Sequence, residues 1–159
     1  MNELKYILYF FLVVFLGIQF FSPDKNIGEI NPIGSFENEI ETPKEINDLL
    51  GRACYDCHSN NTNYPWYGNI APVSWYVSSH VEGGKKTLNF SEWNKYTQQE
   101  KQEKIDKSAD LIKRRWMPMR EYLGQHHEAL MTNEEVEKFA NWFSNIKLEL
   151  EVKQCIDNP

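Results

Sequence analysis

The sequence predicts an all-α domain preceded by an N-terminal apolar helix, and three observations lead to this fold class. Three Thr-x-x-Glu capping boxes begin at Thr42, Thr97 and Thr132, and each marks a helix start because its side chains pair with unbonded backbone N–H groups. Apolar residues recur at helical spacing after each box. No run of alternating β-branched residues indicates a strand. With 159 residues, the chain is expected to form one domain with its own core.

The N-terminal helix is predicted from residues 6–21, an apolar segment in which Gln19 is the single strongly polar side chain. Its length is close to the minimum for spanning a hydrocarbon core of about 30 Å. The bulky Ile18, Phe20 and Phe21 stand where a secretory signal would have small residues before its cleavage site. We therefore expect residues 1–21 to be a transmembrane anchor or, alternatively, an uncleaved signal.

Residues 22–41 are predicted to be an acidic, flexible tether, because they contain prolines and glycines and lack a sustained apolar period. The helical domain is predicted over residues 42–150. A polar C-terminal tail, residues 151–159, follows it, and we assign no role to Cys155 in this tail.

The first and second helices of the domain are bounded by sequence signals. The first starts with the box at Thr42 and should lead directly into Cys54. The second starts at Thr97 and should end near Trp116, since the residue before Pro118 is disfavoured in a helical conformation.

Two further helices are expected. A short one should run from residue 72 to residue 82, closed by Gly83 and Gly84, because glycine commonly ends a helix. The last helix follows Thr132 and carries the strongest amphipathic pattern of the chain.

The net charge of −6 argues against a nucleic-acid-binding protein, because binding to phosphates requires a clustered basic surface. The three-residue basic run at 113–115 lies in a mixed-charge stretch and is predicted to be a solvated helix face. No nucleic-acid partner is therefore expected.

Residues 54–58 read CYDCH, which is the C-x-x-C-H attachment signature of c-type heme. Two thiols on one helical turn can reach the two vinyl groups of a porphyrin, and the adjacent imidazole can bind the iron. A redox dithiol would be expected in a βαβ setting, and a zinc site would need a second ligand pair, for which only His126 and His127 are available. The motif thus predicts one covalent heme c on Cys54 and Cys57, with His58 as the proximal iron ligand.

The sixth iron ligand has several candidates. Met117 is favoured because it stands just before a proline, where an extended loop can direct its thioether toward the heme. Met119 could replace it if the loop ran differently. His80 could give bis-histidine coordination, although a histidine on a helical face commonly only lines a pocket. Two less favoured alternatives are His126 and His127.

Aromatic residues flank both ligand segments, and we expect most of them to be buried around the heme. One or two of their N–H or O–H groups should reach the heme propionates. The residues are Tyr64, Trp66, Tyr67, Trp75, Tyr76, Phe90, Trp93 and Trp116.

Three parts of the sequence, residues 54–67, residues 88–93 and Met117-Pro118 with Tyr122, are similar to the bacterial heme-binding domain family. The resemblance covers about residues 40–148. It implies an exported c-type heme domain with a short N-terminal membrane segment and a later Met-Pro ligand. The order of Met-Pro, loop and final helix also resembles small soluble cytochromes c, so we expect a small cytochrome c-like helical domain.

Coordination by histidine and methionine leaves no open position on the iron, so we expect single-electron transfer rather than catalysis. The expected location is the bacterial inner membrane, with the heme domain facing the periplasm, where covalent heme attachment is completed. The acidic domain is expected to contact redox proteins transiently. Enzymatic activity stays open: the main alternative is a heme-based sensor or peroxidase-like enzyme with a displaceable sixth ligand and His80 as a proton-transfer group. A second alternative is a zinc-stabilised interaction module.

Overall fold

A computed structural model describes the chain at residues 2–28 and 35–157, with side chains up to residue 146. It contains eight α-helices and three short 3-10 helices in these residues, and no β-strand there, so the predicted all-α class is confirmed. The α-helices are α1 (Asn2–Ile18), α2 (Phe36–Glu39), α3 (Lys44–Ala53), α4 (Tyr55–His58), α5 (Val73–Thr87), α6 (Gln98–Lys113), α7 (Arg120–Leu123) and α8 (Asn133–Asp157), and the 3-10 helices are Trp66–Asn69, Phe90–Lys95 and His127–Ala129.

The core forms where α6 packs along α8 and the shorter elements cover this pair. Ile105, Ala109 and Ile112 provide the buried face of α6, at the spacing that the sequence predicts. Phe139 and Phe143 are buried opposite them on α8. Complete burial of such a side chain contributes about 1.5–3 kcal/mol to folding, so this helix pair supplies much of the stability.

The transmembrane helix predicted over residues 1–21 is not supported. Helix α1 has 17 residues and ends at Ile18, which corresponds to about 25 Å at the rise of an α-helix. Among the helices in the described residues, none combines the length and the apolar character that crossing a membrane requires.

Both described ends of the segment predicted as a flexible tether contact the domain. At the N-terminal side, the backbone N–H of Gly28 donates to the Asn60 carbonyl at 2.8 Å. At the other side, Phe36 is fully buried and its ring lies 4.9 Å from that of Trp93. The middle of this segment, residues 29–34, lies outside the described residues, as do the side chains of the predicted tail, including Cys155.

Two of the three predicted capping boxes form. Thr97 and Glu100 cap α6 reciprocally, and the backbone N–H groups of Thr132 and Glu135 likewise bond to each other's side chains before α8. The box at Thr42 does not form, because α3 begins one residue late and its N-cap is Pro43, which has no side-chain donor or acceptor. The Thr42 hydroxyl instead donates to the carbonyl of Ile40.

The ends of two helices differ from the prediction. Helix α5 continues through both glycines to Thr87, so the glycine pair does not close it. Helix α6 ends at Lys113, before the predicted Trp116, because Arg115 adopts a left-handed conformation with φ of 56°. The N–H of Trp116 then bonds back to the carbonyl of Leu111, which satisfies the end of the helix.

Candidate functional site

A cavity of about 500 Å³ lies between α4, α5, α6 and the segment 117–119. Its volume is within the range of about 300–1,000 Å³ that is typical of sites for small molecules and cofactors. The structure brings six of the eight primary and alternative site residues to the lining of this cavity: Cys54, Cys57, His58, His80, Met117 and Met119. Residues separated by more than 60 positions in the chain therefore face one space.

The two cysteines lie on a tight turn where α3 passes into α4. Cys54 is the hinge, with φ −128° and ψ −44°, and its carbonyl accepts hydrogen bonds from the N–H groups of Cys57 and His58. Both thiols are reduced and partly buried. Burial, together with the neighbouring Cys57, raises the pKa of Cys54 to about 12, and burial together with Asp56 raises the pKa of Cys57 to about 11.

His58 is held in a defined orientation by the backbone that follows α5. Its Nδ1 lies 2.9 Å from the carbonyl oxygen of Leu88. Because a carbonyl can only accept, Nδ1 carries the proton and Nε2 is left with the lone pair that a metal ion requires. Desolvation lowers the pKa of His58, against the opposing effect of backbone hydrogen bonds to Leu88 and Gly84, which favours the neutral ring.

Gly84 allows α5 to approach the cysteine turn closely. A Cβ atom at this position would lie 2.4 Å from the carbonyl oxygen of Cys57, a distance at which one backbone must move. This tertiary contact, rather than a helix end, explains why the chain has glycine here. In the sequence, Gly84 stands inside an otherwise helical run, where a glycine also suits the end of a helix.

The loop after His58 is fixed by Asn26 from the N-terminal segment. The Asn26 side-chain amide donates to the Ser59 carbonyl at 2.8 Å and to the Thr62 hydroxyl at 2.9 Å. Its backbone N–H donates to the Tyr64 hydroxyl, and its carbonyl accepts from the N–H of Thr62. Sequence analysis did not identify this role, because no local pattern marks Asn26.

Asp56, between the two cysteines, joins the turn to two other parts of the domain. One carboxylate oxygen accepts from the Tyr122 hydroxyl at 2.8 Å, and the other accepts from the N–H of Asn63 at 3.0 Å. Burial and the contact with Asp56 both raise the pKa of Tyr122. Tyr122 also lines the cavity, so α7 is connected directly to the cysteine turn.

Met117 and Met119 both line the cavity on either side of the buried Pro118. The segment that carries them begins after Arg115, whose guanidinium donates to the Met131 carbonyl and the Asn133 side chain near the start of α8. The end of α6 is therefore attached to α8, which positions the two thioethers at the cavity wall.

The three remaining histidines differ in their positions. His80 lines the cavity and engages its Nδ1 with the Tyr76 carbonyl at 2.8 Å, which leaves its Nε2 free to act as a ligand. His126 and His127 do not belong to the lining. The His126 ring stacks on Tyr122 at 4.1 Å and hydrogen-bonds to Tyr67 and Glu128.

The aromatic residues divide differently from the prediction. Phe90 lines the cavity with its ring 6.4 Å from His58, and Trp93 is fully buried behind it. Trp66 and Trp116, which were expected to be buried, are 76% and 63% exposed. Trp66 lies in a 3-10 helix and Trp116 follows the end of α6, and at both positions the backbone directs the side chain outward.

The donor set and the shape of the cavity suit a heme. Two thiols and a neutral imidazole lie on one turn, thioethers lie on a segment from a different part of the chain, and apolar side chains form much of the wall: Leu88, Phe90, Leu111, Ile112 and Phe143. A cluster of three or more His, Cys, Asp or Glu side chains that could hold a bare metal ion does not occur among the residues described.

Comparison with known proteins gives one match. Neither the curated proteins nor the solved structures contain a significantly similar chain. The family model of the haem-binding domain, in contrast, matches residues 13–145 of the 159, which include the cysteine turn, the methionine segment and most of the core. This chain therefore belongs to the haem-binding domain family.

Proposed function

We propose that the protein is a c-type cytochrome, which holds one heme covalently and transfers single electrons on the periplasmic side of the bacterial inner membrane. The observation that carries the proposal is that Cys54, Cys57, His58 and Met117 line one cavity, with His58 oriented by the Leu88 carbonyl. A bound heme supplies the Fe(III)/Fe(II) couple.

The two thiols are the groups for covalent attachment. Each would add across one vinyl group of a bound heme, with its sulfur on one carbon and its hydrogen on the other, so that no external oxidant would be required. The short turn of α4 keeps Cys54 and Cys57 on one side of the cavity. Attachment there holds the ring next to the Nε2 of His58.

The two residues that would bind the iron decide which type of chemistry is possible. With Nε2 of His58 and the thioether of Met117 as ligands, substrate or oxygen has no free coordination position. A methionine ligand also favours Fe(II) and raises the reduction potential relative to bis-histidine coordination. Electron exchange is then the function that the ligand set permits.

The membrane part of the proposal rests on α1. Its large apolar side chains from Leu4 to Leu16 are between 42% and 68% exposed on all faces of the helix, and Phe20 and Phe21 continue the apolar surface. A helix that is apolar all round is typically covered by other protein or by lipid. Membrane attachment through residues 2–21 covers this surface, and the heme domain then lies outside the membrane.

The first experiment is heme staining after denaturing electrophoresis of the full chain, because only covalent heme stays with the polypeptide. We expect staining in the parent and none in a Cys54→Ser/Cys57→Ser variant. A parent that binds heme in solution but loses it on denaturation would refute covalent attachment.

The second experiment is an absorption spectrum of the oxidised protein. We expect the far-red methionine-to-iron band in the parent and its loss in Met117→Leu, but not in the neighbouring control Met119→Leu. Absence of the band from the parent would refute methionine coordination and remove the main argument for an electron carrier.

A second function is favoured by one observation: His80 lines the same cavity with its Nε2 not used by the Tyr76 contact. In a heme-based sensor or peroxidase-like enzyme, the Met117 bond would be displaceable and His80 would move protons at the iron. Carbon monoxide binding to the reduced protein within milliseconds, and slower peroxide reduction in His80→Gln, would support this alternative.

A further inference from the structure

The wall that α6 contributes to the cavity changes from charged to apolar along the helix. On the side toward the start of α6 the lining residues are Glu103, Lys104, Lys107 and Ser108, and toward its end they are Leu111 and Ile112. These residues recur at helical spacing and thus share one face, and the change takes place over about 12 Å, the rise of eight residues. The cavity therefore has a cationic end and an apolar end.

The cysteine turn belongs to the apolar end. Cys54 packs against the hydrophobic core that includes Ile112 and Phe143, and both of these residues line the cavity as well. Lys104 lies at the other end, where its Nζ donates to the Thr87 carbonyl at 2.7 Å at the end of α5. The two ends are thus distinguished by their packing as well as by their charge.

Heme has the same asymmetry, with vinyl groups on one side and two ionised propionates on another. If the vinyl groups lie at Cys54 and Cys57, the propionates extend away from the apolar end. A carboxylate that enters a protein cavity requires a charged or hydrogen-bonding partner. We propose that Lys104 and Lys107 bind the heme propionates and thereby fix which way round the heme lies.

The charges around this end support the assignment. Glu103 is the only acidic side chain of α6 in the lining, and its carboxylate accepts from Gln99 at 3.0 Å. Within the described part of the chain, neither Lys104 nor Lys107 forms an ion pair of 4.0 Å or less; the nearby Glu100 interacts with Lys104 electrostatically but does not line the cavity. A local excess of positive charge thus faces the cavity of a protein whose net charge is −6.

Of the aromatic residues expected near the propionates, only Phe90 belongs to the described lining, and it has no N–H or O–H group. Tyr122, the tyrosine in the described lining, donates its hydroxyl to Asp56. Tyr96 contacts Lys104 through its ring face at 4.4 Å, and its hydroxyl accepts from the N–H of Asn89. Lysines rather than aromatic groups are therefore available to the propionates.

The test uses the full chain with its heme and compares Lys104→Gln and Lys107→Gln with Lys113→Gln. Lys113 is an exposed residue of the same helix that does not line the cavity. Lys113→Gln therefore removes the same charge as the other two substitutions, but away from the cavity. Two properties are measured: the midpoint potential by spectroelectrochemical titration, and the propionate bending frequency by resonance Raman spectroscopy.

Removing a cation next to a propionate leaves its negative charge uncompensated, which disfavours Fe(II). We expect a lower midpoint potential in both cavity variants than in Lys113→Gln, and a shifted propionate frequency in the cavity variants alone. The double variant Lys104→Gln/Lys107→Gln should show the largest shift. The control for the double variant is Lys86→Gln/Lys113→Gln, since Lys86 is an exposed residue of α5 that does not line the cavity. Equal potentials and equal propionate frequencies in the two double variants would overturn the proposal.

Poor heme loading is also informative. If Lys107→Gln loads little heme, Lys107→Arg should restore loading because it keeps the charge, and equally poor loading in both would count against the proposal. The inference rests on heme binding and not on covalent attachment. The heme stain tests covalent attachment separately. If attachment fails, the lysine variants can still be compared on the heme that the folded protein holds.

Discussion

Replacing Gly84 by alanine should displace α5 from the cysteine turn, because the added Cβ would lie 2.4 Å from the carbonyl oxygen of Cys57. The same Cβ would lie 3.1 Å from both the carbonyl carbon and the Cβ of Cys57. The obstacle is backbone and cannot rotate away, so α5 must shift by about 1 Å to reach an ordinary contact distance.

The size of the effect follows from two opposing contributions. Overpacking of a close interface typically costs about 1–3 kcal/mol, whereas exchanging glycine for alanine inside a helix gains about 1 kcal/mol. We therefore expect Gly84→Ala to lower the free energy of unfolding by up to about 2 kcal/mol. Because the turn carries Cys57, heme loading should fall as well.

Gly51→Ala is the matched control. Gly51 lies exposed in the last turn of α3, and no atom lies within 4 Å of the Cβ that alanine would add. This variant should be slightly more stable than the parent, since only the gain in helix propensity remains.

The assay is urea unfolding of the heme-loaded proteins, followed by circular dichroism, together with the ratio of Soret to protein absorbance. Gly84→Ala should unfold at lower urea and show a smaller ratio, and Gly51→Ala should do neither. If Gly84→Ala proved as stable and as well loaded as Gly51→Ala, the close approach of α5 to the cysteine turn would be refuted.

Three further outcomes are expected. Asn26→Ala removes the side-chain amide that holds the loop after His58 and should lower the free energy of unfolding by about 1–3 kcal/mol in urea titrations; an unchanged midpoint would contradict this role. Thr97→Ala should lower the free energy of unfolding by about 1 kcal/mol in the same assay, whereas Thr42→Ala should lower it much less, because of these two threonines only Thr97 caps a helix. The pKa of Glu135 is held below its usual value, first by a backbone hydrogen bond at the N-cap of α8, so its stabilising contribution is complete at neutral pH and is lost as the pH falls through its folded-state pKa. Unfolding measured between pH 7 and pH 3 should accordingly show a smaller acid-dependent loss of stability in Glu135→Gln than in the parent.

Local signals account for the parts of the protein that the sequence predicts well. The capping boxes at Thr97 and Thr132 and the apolar spacing of α6 and α8 depend on residues within one or two turns of each other. The cysteine motif is equally local, and it alone indicated a heme before any fold was known. Met117 was a candidate because of its neighbour Pro118, and the structure adds that both methionines face the cavity.

Other features depend on contacts between distant segments. Phe36 lies in an acidic stretch without a sustained apolar period, so the sequence does not predict that its ring is buried against Trp93 and Phe90. Trp66 and Trp116 are large and apolar, yet the backbone directs them into solvent. Residue type gives an average tendency to be buried, and the position in the fold decides the particular case.

The sequence by itself thus determined the helical class, the starts of α6 and α8, the heme motif and the family. Only the tertiary structure decided that α5 continues past its glycines, that residues 22–28 hold the loop after His58, and that Lys104 and Lys107 face the cavity. The physical reason is the range of the interactions. Caps and helical spacing depend on residues within a few positions, whereas a close backbone approach, a buried ring or a lysine at a cavity depends on residues from distant parts of the chain.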